Sequence, residues 1–136
     1  MGEIMELQNI LKDEYINYFC AKPYEEKQEV LFEFLDDMIL VSEQIEQLDF
    51  FKENSPFQIL KSINQQYCFC TDFLDNIKQV VEKSINALSK TQMFAILWYF
   101  SCKNIMLFEQ SFYFNMAKQG YIGKLLFRLK ILQKNT

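Results

Sequence analysis

One stretch of the chain, Met93–Phe108, constrains the fold more than any other. It reads MFAILWYFSCKNIMLF: eight apolar residues, four mainly polar ones and four more apolar residues. A helix that is apolar nearly all round is buried on most sides, in a protein core or in lipid. About 16 residues span roughly 24 Å, short of the ~30 Å hydrocarbon layer, and Lys103 near the middle would be costly in lipid. We therefore predict a central helix over about residues 91–118, buried in a protein core.

The scarcity of turn-forming residues indicates an all-α fold. The 136 residues include only three Gly and two Pro, and 50% of them are hydrophobic. A β-sandwich or barrel would need a turn about every 8–12 residues. A chain of this length can also bury enough apolar surface for one core without disulfides. We predict a single domain over residues 1–136, a helical bundle of five to six helices around the central helix.

Capping signals and apolar spacing place the other helices. They are predicted over about residues 3–20, 23–54, 56–88 and 121–133. The first ends before Pro23, because the residue that precedes a proline avoids the α region. Ser55 and Pro56 are a typical N-cap and first-turn pair for the third. Gly120 is expected to end the central helix in a left-handed conformation.

The 56–88 segment has a regular apolar seam. Its members alternate at spacings of three and four: Leu60, Ile63, Tyr67, Cys70, Leu74, Ile77, Val81, Ile85 and Leu88. Such a seam fits either a coiled coil with another chain or the interior of an intramolecular bundle. We favour the intramolecular bundle, because Phe69, Phe73 and Val80 widen the stripe beyond a two-strand seam. One straight helix here would be roughly 50 Å long, against a domain about 36 Å across, so we predict a kink or break at Thr71–Asp72.

The residue types that most catalytic and metal sites require are missing or badly placed. The chain has no histidine and four cysteines, so His-dependent triads and the commonest zinc ligand sets are excluded. On one helix Cys68 and Cys70 would point about 200° apart, and Cys70 and Cys102 are predicted to be small apolar core residues. An enzyme would have to use a buried carboxylate such as Glu109. We predict no catalytic residue, no metal site and no cofactor.

The clearest candidate binding surface is an acidic stripe on the second helix. It comprises Glu26, Glu29, Glu33, Asp36, Asp37 and Leu40. These residues fall within about 100° of arc on the side opposite the apolar stripe. Leu40 lies on the outward face, with Phe32 and Ile39 beside it. Such a face is either simply solvated or docks on a basic protein surface, where its charge accelerates association.

The last helix offers a second candidate interface. It comprises Lys124, Phe127, Arg128, Lys130 and Ile131. An apolar stripe of Leu125, Leu129 and Leu132 can cover the bundle, and Phe127 and Ile131 form another stripe roughly opposite. That second stripe needs a further contact: a neighbouring helix, a dimer interface, a partner groove or an anionic membrane surface. The basic residues could instead pair with the acidic stripe of the same molecule.

Charge and composition together indicate a protein that binds another macromolecule. The net charge is −4, which speaks against nucleic acid as the main partner, because phosphate contacts need clustered Lys and Arg. We predict a non-enzymatic interaction module, a small acidic inhibitor or immunity-type protein whose partner is a protein with a basic surface. The alternative is a self-associating structural or adaptor subunit, for example a homodimer. The N-terminal residues lack an apolar signal segment, so we expect a cytoplasmic protein with reduced cysteines.

Overall fold

Helices account for all the regular structure of the described residues. The structure is a computed structural model that describes residues 11–21, 28–101 and 119–134. Its α-helices are α1 (Asp13–Cys20), α2 (Gln28–Glu46), α3 (Pro56–Gln66), α4 (Phe73–Ser84), α5 (Lys90–Ser101) and α6 (Tyr121–Lys134). Two 3₁₀ turns, Asp49–Phe51 and Ile85–Ala87, lie between helices. The predicted all-α class is confirmed, with no strand in these three ranges.

Helix α5 contains a continuous run of buried side chains. Every residue from Met93 to Phe100 is at most 8% exposed, and the helix packs against α2, α3 and α6. Ser89 caps it: the Ser89 hydroxyl accepts a hydrogen bond from the backbone N–H of Gln92 (3.1 Å), and the Gln92 side-chain oxygen accepts one from the Ser89 N–H (2.9 Å). This reciprocal pair is a capping box. The predicted continuation of the helix to residue 118 falls on residues 102–118, outside the described residues.

The predicted break at Thr71–Asp72 is present, so the 56–88 segment forms two helices. The Ser55 hydroxyl caps α3 by accepting a hydrogen bond from the backbone N–H of Gln58 at 3.3 Å. Helix α4 starts after Asp72, whose side chain accepts from the backbone N–H of Asp75 at 3.0 Å. A new N-cap in mid-segment satisfies the first donors of a second helix, which is why the chain can restart there.

The apolar seam of this segment packs inside its own chain. Its buried members are Leu60, Ile63, Ile77, Val81 and Leu88. Tyr67, Leu74 and Ile85 are partly buried against the same core. The structure therefore agrees with the intramolecular interpretation, and these residues are not available for a coiled coil with another chain.

A buried asparagine holds the linker between α3 and α4. Asn76 is 0% exposed, and its Oδ1 accepts hydrogen bonds from the backbone N–H groups of Phe69 (2.6 Å) and Cys70 (2.9 Å). Its Nδ2 donates to the carbonyl oxygen of Tyr67 (2.6 Å) and to Oδ1 of Asn64 (2.7 Å). Each atom of the amide thus meets the matching kind of partner. The side chain supplies hydrogen bonds that the linker backbone loses on leaving the helix.

The predicted start of the first helix is wrong, because residues 11 and 12 are not helical. The prediction ran continuously over about 3–20, but α1 begins only at Asp13, because Lys12 has an extended backbone (φ −61°, ψ 138°). Leu11 is nevertheless buried, so the chain enters the core before the helix starts. Residues 1–10 lie outside the described residues.

The predicted end of the second helix is also wrong. Helix α2 ends at Glu46, not near residue 54. Leu48 is extended (φ −66°, ψ 146°) and is followed by a 3₁₀ turn. This change of direction brings Leu48 and Phe51 into the core, where they are 5% and 4% exposed. The predicted start at Pro23 falls outside the described residues.

Helices α1 and α6 pack closely at Gly123. A Cβ atom at this position would lie 2.8 Å from Sγ of Cys20 and 3.2 Å from the backbone carbonyl carbon of Phe19. The absence of a side chain at Gly123 therefore permits the close approach of the two backbones. Just before α6, Gly120 has a φ of 91°, the left-handed conformation that was predicted for it and that glycine adopts at low cost.

Candidate binding surfaces

The outer side of α2 combines carboxylates with large apolar side chains. We call it the acidic face, and its described members are Glu29, Phe32, Glu33, Asp36, Asp37 and Leu40. All are exposed except Asp37, which is half-buried at one edge. Phe34 and Ile45, on the other side of α2, are 1% and 0% exposed. The predicted orientation of the helix is therefore correct, and the predicted member Glu26 lies outside the described residues.

Two carboxylates of the acidic face already have partners within the chain. Nζ of Lys12 donates a hydrogen bond to Oε1 of Glu33 at 2.7 Å and lies 3.6 Å from Oδ2 of Asp37. The buried hydroxyl of Tyr15 donates to the same Asp37 oxygen at 2.6 Å. Glu33 and Asp37 thus connect the N-terminal part of the chain to α2. The carboxylates of the acidic face therefore differ: Glu33 and Asp37 contact groups of the same chain, and the others are the ones that another protein could contact.

The pKa values of this network follow from its contacts. The hydrogen bond from Lys12 lowers the pKa of the Glu33 carboxyl, and the same bond raises the pKa of the Lys12 ammonium. Burial, followed by the hydrogen bond to Asp37, raises the pKa of the Tyr15 hydroxyl. Each of these shifts favours the form that the group already has at neutral pH. The contacts of the network therefore favour a charged Lys12, a charged Glu33 and a neutral Tyr15.

The apolar side chains of the acidic face are Phe32 and Leu40. They are 51% and 60% exposed. Eight positions on one helix correspond to about 12 Å along its axis, and Asp36 lies between them in the sequence. Single exposed apolar residues are common, but these two lie on one helix face among carboxylates.

The outer side of α6 has the opposite charge. We call Lys124, Phe127, Arg128 and Ile131 the basic face, because these residues fall within about 100° of arc on the helix. Lys124 is exposed, Phe127 is 54% exposed, and Arg128 and Ile131 are partly exposed. Leu125, Leu126 and Leu129 on the other side are all 0% exposed. One predicted apolar stripe of α6 thus covers the core, and the other contains an exposed phenylalanine.

Lys130, also predicted to belong to this interface, is used inside the molecule. Its ammonium forms a salt bridge with Asp13 at the start of α1. The side chain of Lys130 is 26% exposed. The basic helix is therefore paired with α1 through Lys130, and the described contacts do not pair it with the acidic face. Lys124 remains at the surface.

Two hydrogen bonds of large aromatic side chains were not predicted from the sequence. Nε1 of Trp98 donates to Oε1 of Glu46 at 2.9 Å, and the hydroxyl of Tyr121 donates to Oε1 of Glu82 at 2.7 Å. Burial, then the bond to Glu82, raises the pKa of Tyr121 to about 12. Buried Trp and Tyr usually find a polar partner, but the identity of that partner depends on helix packing.

Two of the cysteines, Cys68 and Cys70, lie in surroundings that the sequence did not predict. Cys68 and Cys70 are in the α3–α4 linker, not on a helix, because α3 ends at Gln66 and Asn76 binds the linker backbone. Cys68 is exposed and Cys70 is half-buried, so the prediction that Cys70 is a core residue is wrong. In the part of the chain that the structure describes, no group of three or more His, Cys, Asp or Glu residues is arranged to hold a metal ion. Cys102 and Glu109 fall outside that part.

Among the described helices, none has both the length and the apolar composition needed to cross a membrane. No family model, no curated protein and no solved structure matches this chain. What the two surfaces bind has therefore to be inferred from their own chemistry.

Proposed function

We propose that the chain is a non-enzymatic protein that binds another protein through the acidic face, as a small acidic inhibitor or immunity-type protein that masks its partner. The observation that supports this proposal most is the exposure of Phe32 and Leu40, 51% and 60%, on the same face as Glu29 and Asp36. A purely solvated helix face would gain nothing from two such side chains. We expect the binding to take place in the cytosol.

The partner that fits this face is a basic protein surface with apolar depressions. Exposed carboxylates attract a positive surface and accelerate the encounter. Affinity would come mainly from the burial of Phe32 and Leu40, since a few large apolar anchors dominate most interfaces. Glu29 and Asp36 form no ion pair among the described residues, so their charge is available to the partner.

The internal network supports the same function by holding the acidic face in place. Lys12 donates a hydrogen bond to Glu33, and Tyr15 donates one to Asp37, so that α2 is held at one edge of the acidic face. A helix that is already fixed loses less conformational entropy when a partner binds it. Glu33 and Asp37 therefore position the face. The residues that we expect to touch the partner are Glu29, Phe32, Asp36 and Leu40.

Affinity capture with matched charge variants tests the proposal. The test variant is Glu29→Lys/Asp36→Lys, and the control is Glu14→Lys/Glu53→Lys, which makes the same charge change at exposed sites outside the face. We expect wild type and control to retain one basic protein from a lysate of the organism that encodes the chain, and the test variant to lose it. The proposal is wrong if all three baits retain the same proteins.

A second pair of variants tests the apolar contribution. Phe32→Ser/Leu40→Ser removes both exposed apolar side chains, and Phe57→Ser is the control, since Phe57 is also 42% exposed but lies on α3. We expect capture to fail only for the α2 variant. Masking of the partner is then tested by adding the purified chain to the captured protein. The partner's own activity should fall with wild type and remain unchanged with Phe32→Ser/Leu40→Ser.

A further inference from the structure

We infer that the basic face of α6 docks on the acidic face of α2 in a second copy of this chain. The inference rests on the proposed function in one respect, because both use the acidic face as a binding surface. It names a different occupant, however, and it requires no other protein. The chain itself carries a surface with the chemistry that the acidic face would bind.

The two faces are complementary in charge. The exposed ionisable residues of the acidic face are Glu29, Glu33 and Asp36, and those of the basic face are Lys124 and the partly exposed Arg128. Residues 121–134 contain no acidic residue at all. Among the described residues no ion pair joins the two faces: Glu33 pairs with Lys12, and Lys130, beside the basic face, pairs with Asp13.

The two faces also match in their apolar content. Among the side chains whose burial the structure describes, Phe32, Leu40 and Phe127 are the large hydrophobic ones that are more than half exposed, at 51%, 60% and 54%. Phe127 can therefore pack against Phe32 or Leu40, while Lys124 and Arg128 meet the neighbouring carboxylates. A contact that joins apolar burial with opposite charges satisfies both faces at once.

The contact has two consequences for the assembly. If a two-fold axis relates two copies, each acidic face meets the other copy's basic face and a closed dimer forms; otherwise the contact repeats head to tail. The contact between two helix faces is small, so we expect weak association that depends on concentration. An acidic face occupied by a second copy is not available to another protein, so self-association and partner binding exclude each other at that site.

Sedimentation equilibrium of the purified chain tests the inference. We expect the mean mass of wild type to rise with concentration between about 10 µM and 1 mM, a range suited to an interface at the small end of those known. Glu29→Lys/Asp36→Lys and Lys124→Glu/Arg128→Glu should each weaken association about tenfold or more. The controls Glu14→Lys/Glu53→Lys and Lys61→Glu/Lys83→Glu change exposed charges elsewhere and should associate as wild type does.

Mixing the two face variants is the decisive step. Each one alone brings like charges together, but an equimolar mixture again pairs acidic with basic faces and should regain the mass of the wild-type assembly. Phe127→Ser leaves the charge unchanged and should also weaken association. The inference is overturned if wild type stays monomeric, if the mixture does not associate, or if Lys124→Glu/Arg128→Glu associates normally.

An experiment with lipid vesicles tests whether the basic face binds a membrane surface instead of a second copy of the chain. The probe is a set of vesicles, neutral or containing anionic lipid, sedimented with the wild-type chain. Binding to anionic vesicles by a chain that remains monomeric in solution would assign the basic face to a membrane surface and overturn the inference. Because neither arm contains another protein, such a result would leave the capture experiments on the acidic face to be decided separately.

Discussion

Removal of the Asn76 side chain should destabilise the fold more than the small volume of this side chain suggests. Asn76→Ala deletes four hydrogen bonds of 2.6–2.9 Å, three of them to the backbone of the α3–α4 linker. Asn64 is half-buried and can turn to water, so its bond is replaced at little cost. Each of the other three contributes about 1 kcal/mol net. We therefore expect the free energy of unfolding to fall by about 3 kcal/mol.

Urea denaturation followed by far-ultraviolet circular dichroism measures this loss. The matched control is Asn86→Ala, the same change at an exposed asparagine, which should alter stability by no more than about 0.5 kcal/mol. If Asn76→Ala and Asn86→Ala unfold at the same urea concentration with the same slope, the linker does not depend on the buried amide and the reasoning is refuted.

A second substitution at this position separates the roles of the two amide atoms. Asn76→Asp keeps an oxygen for the two N–H donors but places another oxygen against the Tyr67 carbonyl and Oδ1 of Asn64. At neutral pH it should destabilise at least as much as Asn76→Ala. Part of the loss should be recovered at acidic pH, where a protonated carboxyl can donate a hydrogen bond. A loss that does not change with pH would contradict this account of the donor atom.

Two further predictions concern the packing of α6. Gly123→Ala should lower the melting temperature, although alanine favours a helix by about 1 kcal/mol over glycine, because the new methyl would meet the Phe19 backbone at 3.2 Å; a higher melting temperature would show that α1 can move away freely. The Tyr121 hydroxyl should titrate near pH 12, measured as the ultraviolet difference between wild type and Tyr121→Phe, and Glu82→Gln should lower that pKa. Its raised pKa stabilises the fold below pH 10, and this contribution is lost as the pH rises from 10 to 12. A Tyr121 that titrates with exposed phenols would refute the buried pair.

The helices could be predicted where local signals decide them. Ser55, Asp72 and Gly120 take the cap, break and left-handed conformations that their residue types favour. The ends of the first two predicted helices failed for a different reason. The helix ends before Leu48, and Leu48 and Phe51 are buried in the core. The position of the core relative to this helix depends on how the other helices pack, which the local sequence does not determine.

The candidate site could be predicted as a pattern but not as a set of contacts. The outward orientation of Glu29, Asp36 and Leu40 follows from helical periodicity alone. The capture of Glu33 and Asp37 by Lys12 does not, because it depends on an extended residue before α1. The role of Asn76 was also missed, because most of its partners lie in the linker between α3 and α4, whose course the local sequence does not fix.

The most direct test of the account is the affinity of the captured partner for variants of the acidic face. Binding of the purified partner to wild type and to Glu29→Lys/Asp36→Lys is measured by surface plasmon resonance at low and high salt. We predict that the variant raises Kd about tenfold or more at low salt, chiefly through slower association, and that high salt reduces the difference. Equal Kd values for both proteins at low salt would contradict the claim that this face is the binding surface.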